Sequence, residues 1–123
     1  MKILVLDDSE DNLNLIRLYT KKSDDDFSFS SSGDEALELI ENQQFDLLFM
    51  DIQMPGMSGF EVLEKVRFLN FGKELFVCAL TAFSFDSELE KIRSSSFNDY
   101  LQKPILRDQF LKYIGDLSLK DAS

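Results

Sequence analysis

The stretch Leu47-Leu48-Phe49-Met50-Asp51 is a continuous apolar run stopped by one carboxylate. A strand with one face in water alternates apolar and polar residues; a strand covered on both faces does not. Residues 3–6, Ile-Leu-Val-Leu, repeat the pattern and are stopped by Asp7 and Asp8. Residues 75–80 repeat it again and are stopped by Thr81. Continuous runs of this kind belong to a parallel sheet sandwiched between helices. Phe27 and Phe29, alternating with Ser28 and Ser30, read as a half-exposed edge strand. Residues 99–102 read as a weaker fifth strand that leads to Lys103 and Pro104.

The intervening segments carry helical spacing. Leu15, Leu18 and Tyr19 are expected on one buried face, as are Ala36, Leu39 and Ile40. Val62, Leu63 and Val66 make a third face, on a helix opened by Ser58 or Gly59. Phe85, Leu89 and Ile92 make a fourth, and Phe110, Ile114 and Leu117 a fifth. The order is therefore (βα) five times. Right-handed crossovers turn that order into an α/β, doubly wound parallel sheet of five strands.

Such sheets bind ligands outside the carboxyl ends of their strands. At those ends stand Asp7 and Asp8, Asp51, Thr81 and Lys103. Taken singly, Asp8 reads as a helix cap, Asp51 as turn chemistry, Thr81 as a strand end and Lys103 as a surface lysine. Taken together they put three carboxylates, a hydroxyl and an ammonium on one crevice. Three crowded anions call for a cation, and a donor set made only of oxygen suits Mg²⁺. Mg²⁺ favours sites completed by a phosphate, and Lys103 and Thr81 supply the charge and the hydrogen bond that phosphoryl oxygens need. An Asp in such a site can act as a nucleophile and become an aspartyl phosphate.

Composition removes other functions. The chain has 123 residues, enough for one domain over 1–123, and 44% of them are hydrophobic. It contains no His, which excludes a Ser-His-Asp triad and His-ligated zinc or haem. Its one cysteine, Cys78, excludes a disulfide framework and reads as a buried, inert thiol. A net charge of −10 argues against direct nucleic-acid binding and for cations or basic protein surfaces. No apolar run is long enough for a membrane span, and a soluble, cytoplasmic setting is expected. Residues 56–59, Gly-Met-Ser-Gly, read as a turn rather than a dinucleotide loop, and Asp24, Asp25 and Asp26 lack the rest of a calcium loop.

Four motifs in order carry a resemblance: Asp7-Asp8; Met50-Asp51-Ile52-Gln53-Met54-Pro55-Gly56-Met57-Ser58-Gly59; Leu80-Thr81-Ala82; and Asp99-Tyr100-Leu101-Gln102-Lys103-Pro104. The chain resembles the receiver domain of two-component response regulators, the CheY-like family, from Ile3 to about Leu117. The resemblance implies a flavodoxin-like strand order, 2-1-3-4-5. It implies that Asp51 is the phosphoacceptor, taking a phosphoryl group from a phosphohistidine of a partner. That partner would be a sensor histidine kinase or a histidine phosphotransfer protein. It further implies Mg²⁺ held by Asp8, Asp51 and the backbone carbonyl of Gln53, with Asp7 acting mainly through a bound water. Lys103, the Thr81 hydroxyl and the Ala82 N–H would hold phosphoryl oxygens, and the Lys103–Pro104 bond would be cis. Thr81 and Tyr100 match the switch pair that reshapes the face of the fourth helix, fifth strand and fifth helix. Gln53 and Phe83 match the positions that flank the phosphorylation site. Large, apolar Phe83 would slow loss of the phosphoryl group by screening it from water.

Two departures from the family pattern stand out. Ser96 occupies a position where many receivers carry Gly, so the fourth helix is expected to end without a left-handed cap. Ser58 replaces a common acidic residue. Residues 9–12, Ser-Glu-Asp-Asn, together with Gln53, resemble receivers of hybrid kinases and phosphorelays. Such a domain is not an enzyme beyond catalysing its own phosphorylation and dephosphorylation. Two rivals remain at this level. A phosphatase of the haloacid-dehalogenase type would need a second Asp two residues after the nucleophile, where Ser9 and Gln53 stand. A docking module that works without phosphorylation would usually lack a key residue, and none is missing. The downstream target, a fused effector and phosphorylation-linked dimerisation stay open.

Overall fold

The computed structural model describes residues 1–82 and 86–122. Strand and helix alternate along the chain: β1 (Lys2–Leu6), α1 (Glu10–Tyr19), β2 (Asp26–Ser30), α2 (Gly33–Asn42), β3 (Leu47–Asp51), α3 (Gly59–Phe68), β4 (Phe76–Thr81), α4 (Asp86–Arg93), β5 (Asp99–Gln102) and α5 (Arg107–Ala122). All strand pairs are parallel, and the sheet order is β2-β1-β3-β4-β5. The expected α/β doubly wound sheet is present, in the order the resemblance implied.

β1, β3 and β4 occupy the middle of this sheet, which is why they read as unbroken apolar runs. Their residues sort by parity onto two cores. Leu4, Leu48, Met50, Val77 and Ala79 face α2 and α3, whereas Ile3, Val5, Phe49, Cys78 and Leu80 face α1 and α5. Phe49 packs on Phe110 of α5 with ring centroids 4.7 Å apart. Cys78 is fully buried, and burial pushes its thiol up to about 12, the inert state expected of it.

Serines open three helices. Ser9, Ser32 and Ser58 each accept a hydrogen bond from the backbone N–H three residues on, starting α1, α2 and α3. The cap of α1 is therefore Ser9, not Asp8, which leaves the Asp8 carboxylate for other work.

One expected face is corrected. α1 buries Leu13 and Ile16, with Thr20 just beyond its end, while Leu15 and Leu18 are exposed at 44% and 69%. Tyr19 is half-buried and donates to the carbonyl of Ile105. The segment is apolar at 13, 15, 16, 18 and 19, so spacing alone fits two faces. The Ser9 cap fixes the start of the helix, and the buried spacing of 13, 16 and 20 runs from there. The other expected faces point at the cores: Ala36 and Ile40, Val62, Leu63 and Val66, Ile92, and Phe110 and Ile114 are buried, while Leu39, Leu89 and Leu117 are half-buried against them. Phe85 lies outside the described residues.

α4 ends as its sequence foretells, without a left-handed residue. The Ser94 and Ser95 hydroxyls donate back to the carbonyls of Glu90 and Ile92. Arg67 of α3 then holds Ser96 by its hydroxyl and by its carbonyl. The same guanidinium donates to the carbonyls of Gly72 and Leu75 and to the side chain of Asn98. One residue thus ties α3 to both segments that lead into β4 and β5.

Candidate functional site

The carboxyl ends of β1, β3, β4 and β5 converge on one crevice. Asp7 follows β1, and its backbone N–H donates to the carbonyl of Ser30, so the chain leaves the sheet in register with β2. Asp51 is the last residue of β3. The backbone N–H of Lys103 donates to the carbonyl of Thr81 at 2.7 Å, which aligns the end of β5 with that of β4. The Lys103–Pro104 peptide bond is cis, as expected.

The loop after Asp51 turns at one glycine and closes on the strand end at another. Gly56 takes φ +84°, a region where L side chains are strained. Gly59 lies so close to β3 that a Cβ would sit 2.6 Å from the Ile52 Cα and 2.9 Å from the Asp51 carbonyl oxygen. Ser58, the family departure, serves as the cap of α3.

Asp7, Asp8 and Asp51 each offer a carboxylate oxygen, and these oxygens lie within 4.8 Å of one another. Asp7 and Asp51 are buried, while Asp8 is exposed at the mouth. Lys103 reaches in with its Nζ 3.1 Å from Asp7 Oδ2 and 3.4 Å from Asp51 Oδ1. One ammonium therefore serves two buried anions. The donors are all oxygen, the spacing admits one small ion, and a single lysine leaves the cluster with excess negative charge. On each count the site fits Mg²⁺.

Burial pushes the Asp51 carboxyl up to about 6. The Gln53 N–H, 3.1 Å from Oδ1, and the Lys103 ammonium pull it down, while Asp7 and Asp8 add to the rise. Added positive charge beside Asp51 would therefore favour its anion.

Thr81 is fully buried at the end of β4, and Ala82 is exposed beside it. Tyr100 is half-buried on β5, packed against the core of α3 and α4. Gln53 is exposed at the start of the loop. Phe83 lies outside the described residues. The four motifs therefore meet at one edge of the sheet, with Tyr100 removed from the crevice on the flank of β5.

Two contributors escaped the sequence. The backbone N–H of Ser9 donates to Asp7 Oδ1 at 2.9 Å, and the Asn12 side chain donates to Asp7 Oδ2 at 3.2 Å. The signal was the cap itself. With Ser9 at the start of α1, the residue three further on lies in the first turn and can face the end of β1.

Comparison with known proteins agrees with this architecture. The model of the response regulator receiver domain matches residues 3–115, and the chain belongs to that family. It is 33% identical to the polar-differentiation response regulator DivK of Brucella ovis, over 93% of this chain and 96% of that protein. It is also 33% identical to the signal transduction histidine-protein kinase BarA of Escherichia coli, covering 92% of this chain but 13% of the kinase. Among solved structures, the receiver domain of the sensor histidine kinase PA1611 from Pseudomonas aeruginosa superposes with a TM-score of 0.82. It is 25% identical, with 91% of this chain and 92% of that one covered, and it was crystallised with a magnesium ion coordinated in its active-site cleft.

Proposed function

We propose that the chain works as one receiver unit that accepts a phosphoryl group on Asp51 from a phosphohistidine of a partner protein, with Mg²⁺ in the crevice. The observation that carries this reading is the pairing of a buried Asp51 with two further carboxylates and one shared lysine. In the transfer, an Asp51 carboxylate oxygen forms a bond to phosphorus as the phosphorus–nitrogen bond to the partner imidazole breaks. The electron pair leaves with the imidazole, and the product is an aspartyl phosphate. Bound Mg²⁺ would neutralise the phosphoryl oxygens, held by Asp8, Asp51 and the Gln53 carbonyl, with Asp7 acting through a water.

The chain's own residues do the rest. Gln53 and Lys103 fix the orientation of Asp51 before transfer. Lys103 follows the new charge onto the phosphoryl group, joined by the Thr81 hydroxyl and the Ala82 N–H. Movement of Thr81 toward the phosphoryl group lets Tyr100 turn inward, which reshapes the face of α4, β5 and α5. Phe83 and Gln53 set how long the acyl phosphate lasts. The partner is a histidine kinase or histidine phosphotransfer protein, a reading supported by the similarity to BarA and DivK. Beyond its own phosphorylation and dephosphorylation the domain has no catalytic turnover. No helix among the described residues is long and apolar enough to cross a membrane. Membership of the receiver family is the ground on which we propose action in the cytoplasm.

Intact mass after incubation with acetyl phosphate tests the reading. Wild type with Mg²⁺ gains the mass of one phosphoryl group; Asp51→Asn does not, nor does wild type with the metal chelated. Equal labelling of wild type and Asp51→Asn would overturn it.

A further inference from the structure

Asp7 is the most deeply buried carboxylate of the crevice, and both of its oxygens are engaged. Oδ1 accepts from the Ser9 N–H at 2.9 Å. Oδ2 accepts from two donors, the Asn12 amide at 3.2 Å and the Lys103 ammonium at 3.1 Å. These two donors differ in kind. Lys103 is charged and is divided between Asp7 and Asp51. Asn12 is neutral and its backbone is tied down, since its N–H donates to the Ser9 hydroxyl at the cap of α1. The amide can face Oδ2 only with its NH₂ group, because its oxygen there would oppose a carboxylate.

A buried carboxylate that loses its hydrogen bonds is costly, and in a metal site it also loses its aim. When Lys103 follows a phosphoryl group, Asp7 gives up one of the donors on Oδ2. Asn12 stays. A cationic residue in its place would repel a divalent ion, and a shorter one would not span from α1 to the end of β1. We infer that Asn12 is a positioning residue of the crevice: acting through Asp7, its amide fixes that carboxylate alongside Lys103 and so sets the affinity for Mg²⁺. This rests on the reading of the crevice as a Mg²⁺ and phosphoryl site, and it adds a residue that this reading does not use.

The test is a Mg²⁺ titration of metal-free protein, followed by the backbone amide shifts of the crevice residues and requiring no phosphorylation. Asn12→Leu preserves size and removes the donor. It is expected to weaken Mg²⁺ binding by about three- to tenfold, at or just below the range for loss of an outer partner of a metal ligand, since Asp7 acts through a water. Asn12→Gln retains an amide donor and should recover part of that loss. With acetyl phosphate, Asn12→Leu should need correspondingly more Mg²⁺ for half-maximal labelling yet reach the wild-type rate at saturation. A purely structural residue would not produce that split.

Wild-type Mg²⁺ affinity in Asn12→Leu overturns the inference. Should Asn12→Leu not fold, Asn12→Ser, too short to reach Asp7, decides in the same way: weakened binding supports the inference and unchanged binding overturns it. If wild type itself binds no Mg²⁺, the underlying reading of the crevice falls, and this inference falls with it.

Discussion

Asp51 pays for its position in the metal-free protein. Its carboxyl titrates near 6 in the folded chain and near 3.8 when exposed, because burial opposes the anion. The unfolded chain therefore holds its proton less tightly than the folded one. Above about pH 6 the folded state bears the whole cost of the buried charge, and acidification from about 6 to about 4 removes it. Asp51→Asn abolishes that cost while Lys103 keeps Asp7 as a partner. In chelator at neutral pH, the variant should be more stable to urea by about 1–2 kcal/mol, a value discounted for partial solvation of the pair. The gain should vanish near pH 4. Mg²⁺ should raise the melting temperature of wild type and do little for Asp51→Asn, since binding to the native state alone stabilises it. An advantage that persists unchanged at low pH would show that the pH dependence arises elsewhere. At this scale the sequence was informative for Asp7, Asp8, Asp51 and Thr81, because each stands at the end of a strand that could be read from its apolar run, and for Lys103 through the weaker fifth strand before it. It was silent on Asn12, whose placement depends on where α1 begins.

For the elements, α1 shows where reading a sequence runs out. An isolated helical pattern with apolar residues at five of seven positions has no unique buried face, and only the cap and the sheet beneath it decide. The consequence is measurable. Leu13→Ala should cost about 2–4 kcal/mol in urea unfolding, since Leu13 is buried between α1 and the sheet. Leu18→Ala should change stability by less than about 0.5 kcal/mol, as an exposed side chain does. A reversal of these two values would restore the face first expected.

Arg67 belongs to the same scale. Its guanidinium bonds to Gly72, Leu75, Ser96 and Asn98, compensating for the glycine missing after α4. Arg67→Ala strips partners from several carbonyls at once and should cost about 2 kcal/mol or more. Arg67→Lys should recover only part, because an ammonium cannot reproduce the planar fork. Full stability in Arg67→Lys would mean that charge alone suffices. No local pattern in residues 67–98 announces this tie, since its partners are carbonyls brought together by the fold.

The whole molecule is a parallel sheet between two apolar layers, and that plan was legible because buried parallel strands cannot disguise their composition. Its net charge of −10 is not spread idly. Three acidic side chains gather where four strands end, and a single lysine is shared between two of them. Such a cluster carries more negative than positive charge, and that excess is the ground for proposing that a divalent cation and a phosphoryl group join it. The most direct test asks where the phosphorus goes. Protein labelled with acetyl phosphate and Mg²⁺, treated with borohydride to reduce the acyl phosphate, is digested and mapped by mass spectrometry. The reduced residue is expected at Asp51 and nowhere else; reduction at Asp7 or Asp8, or a fully labelled chain with Asp51 unchanged, would contradict the account.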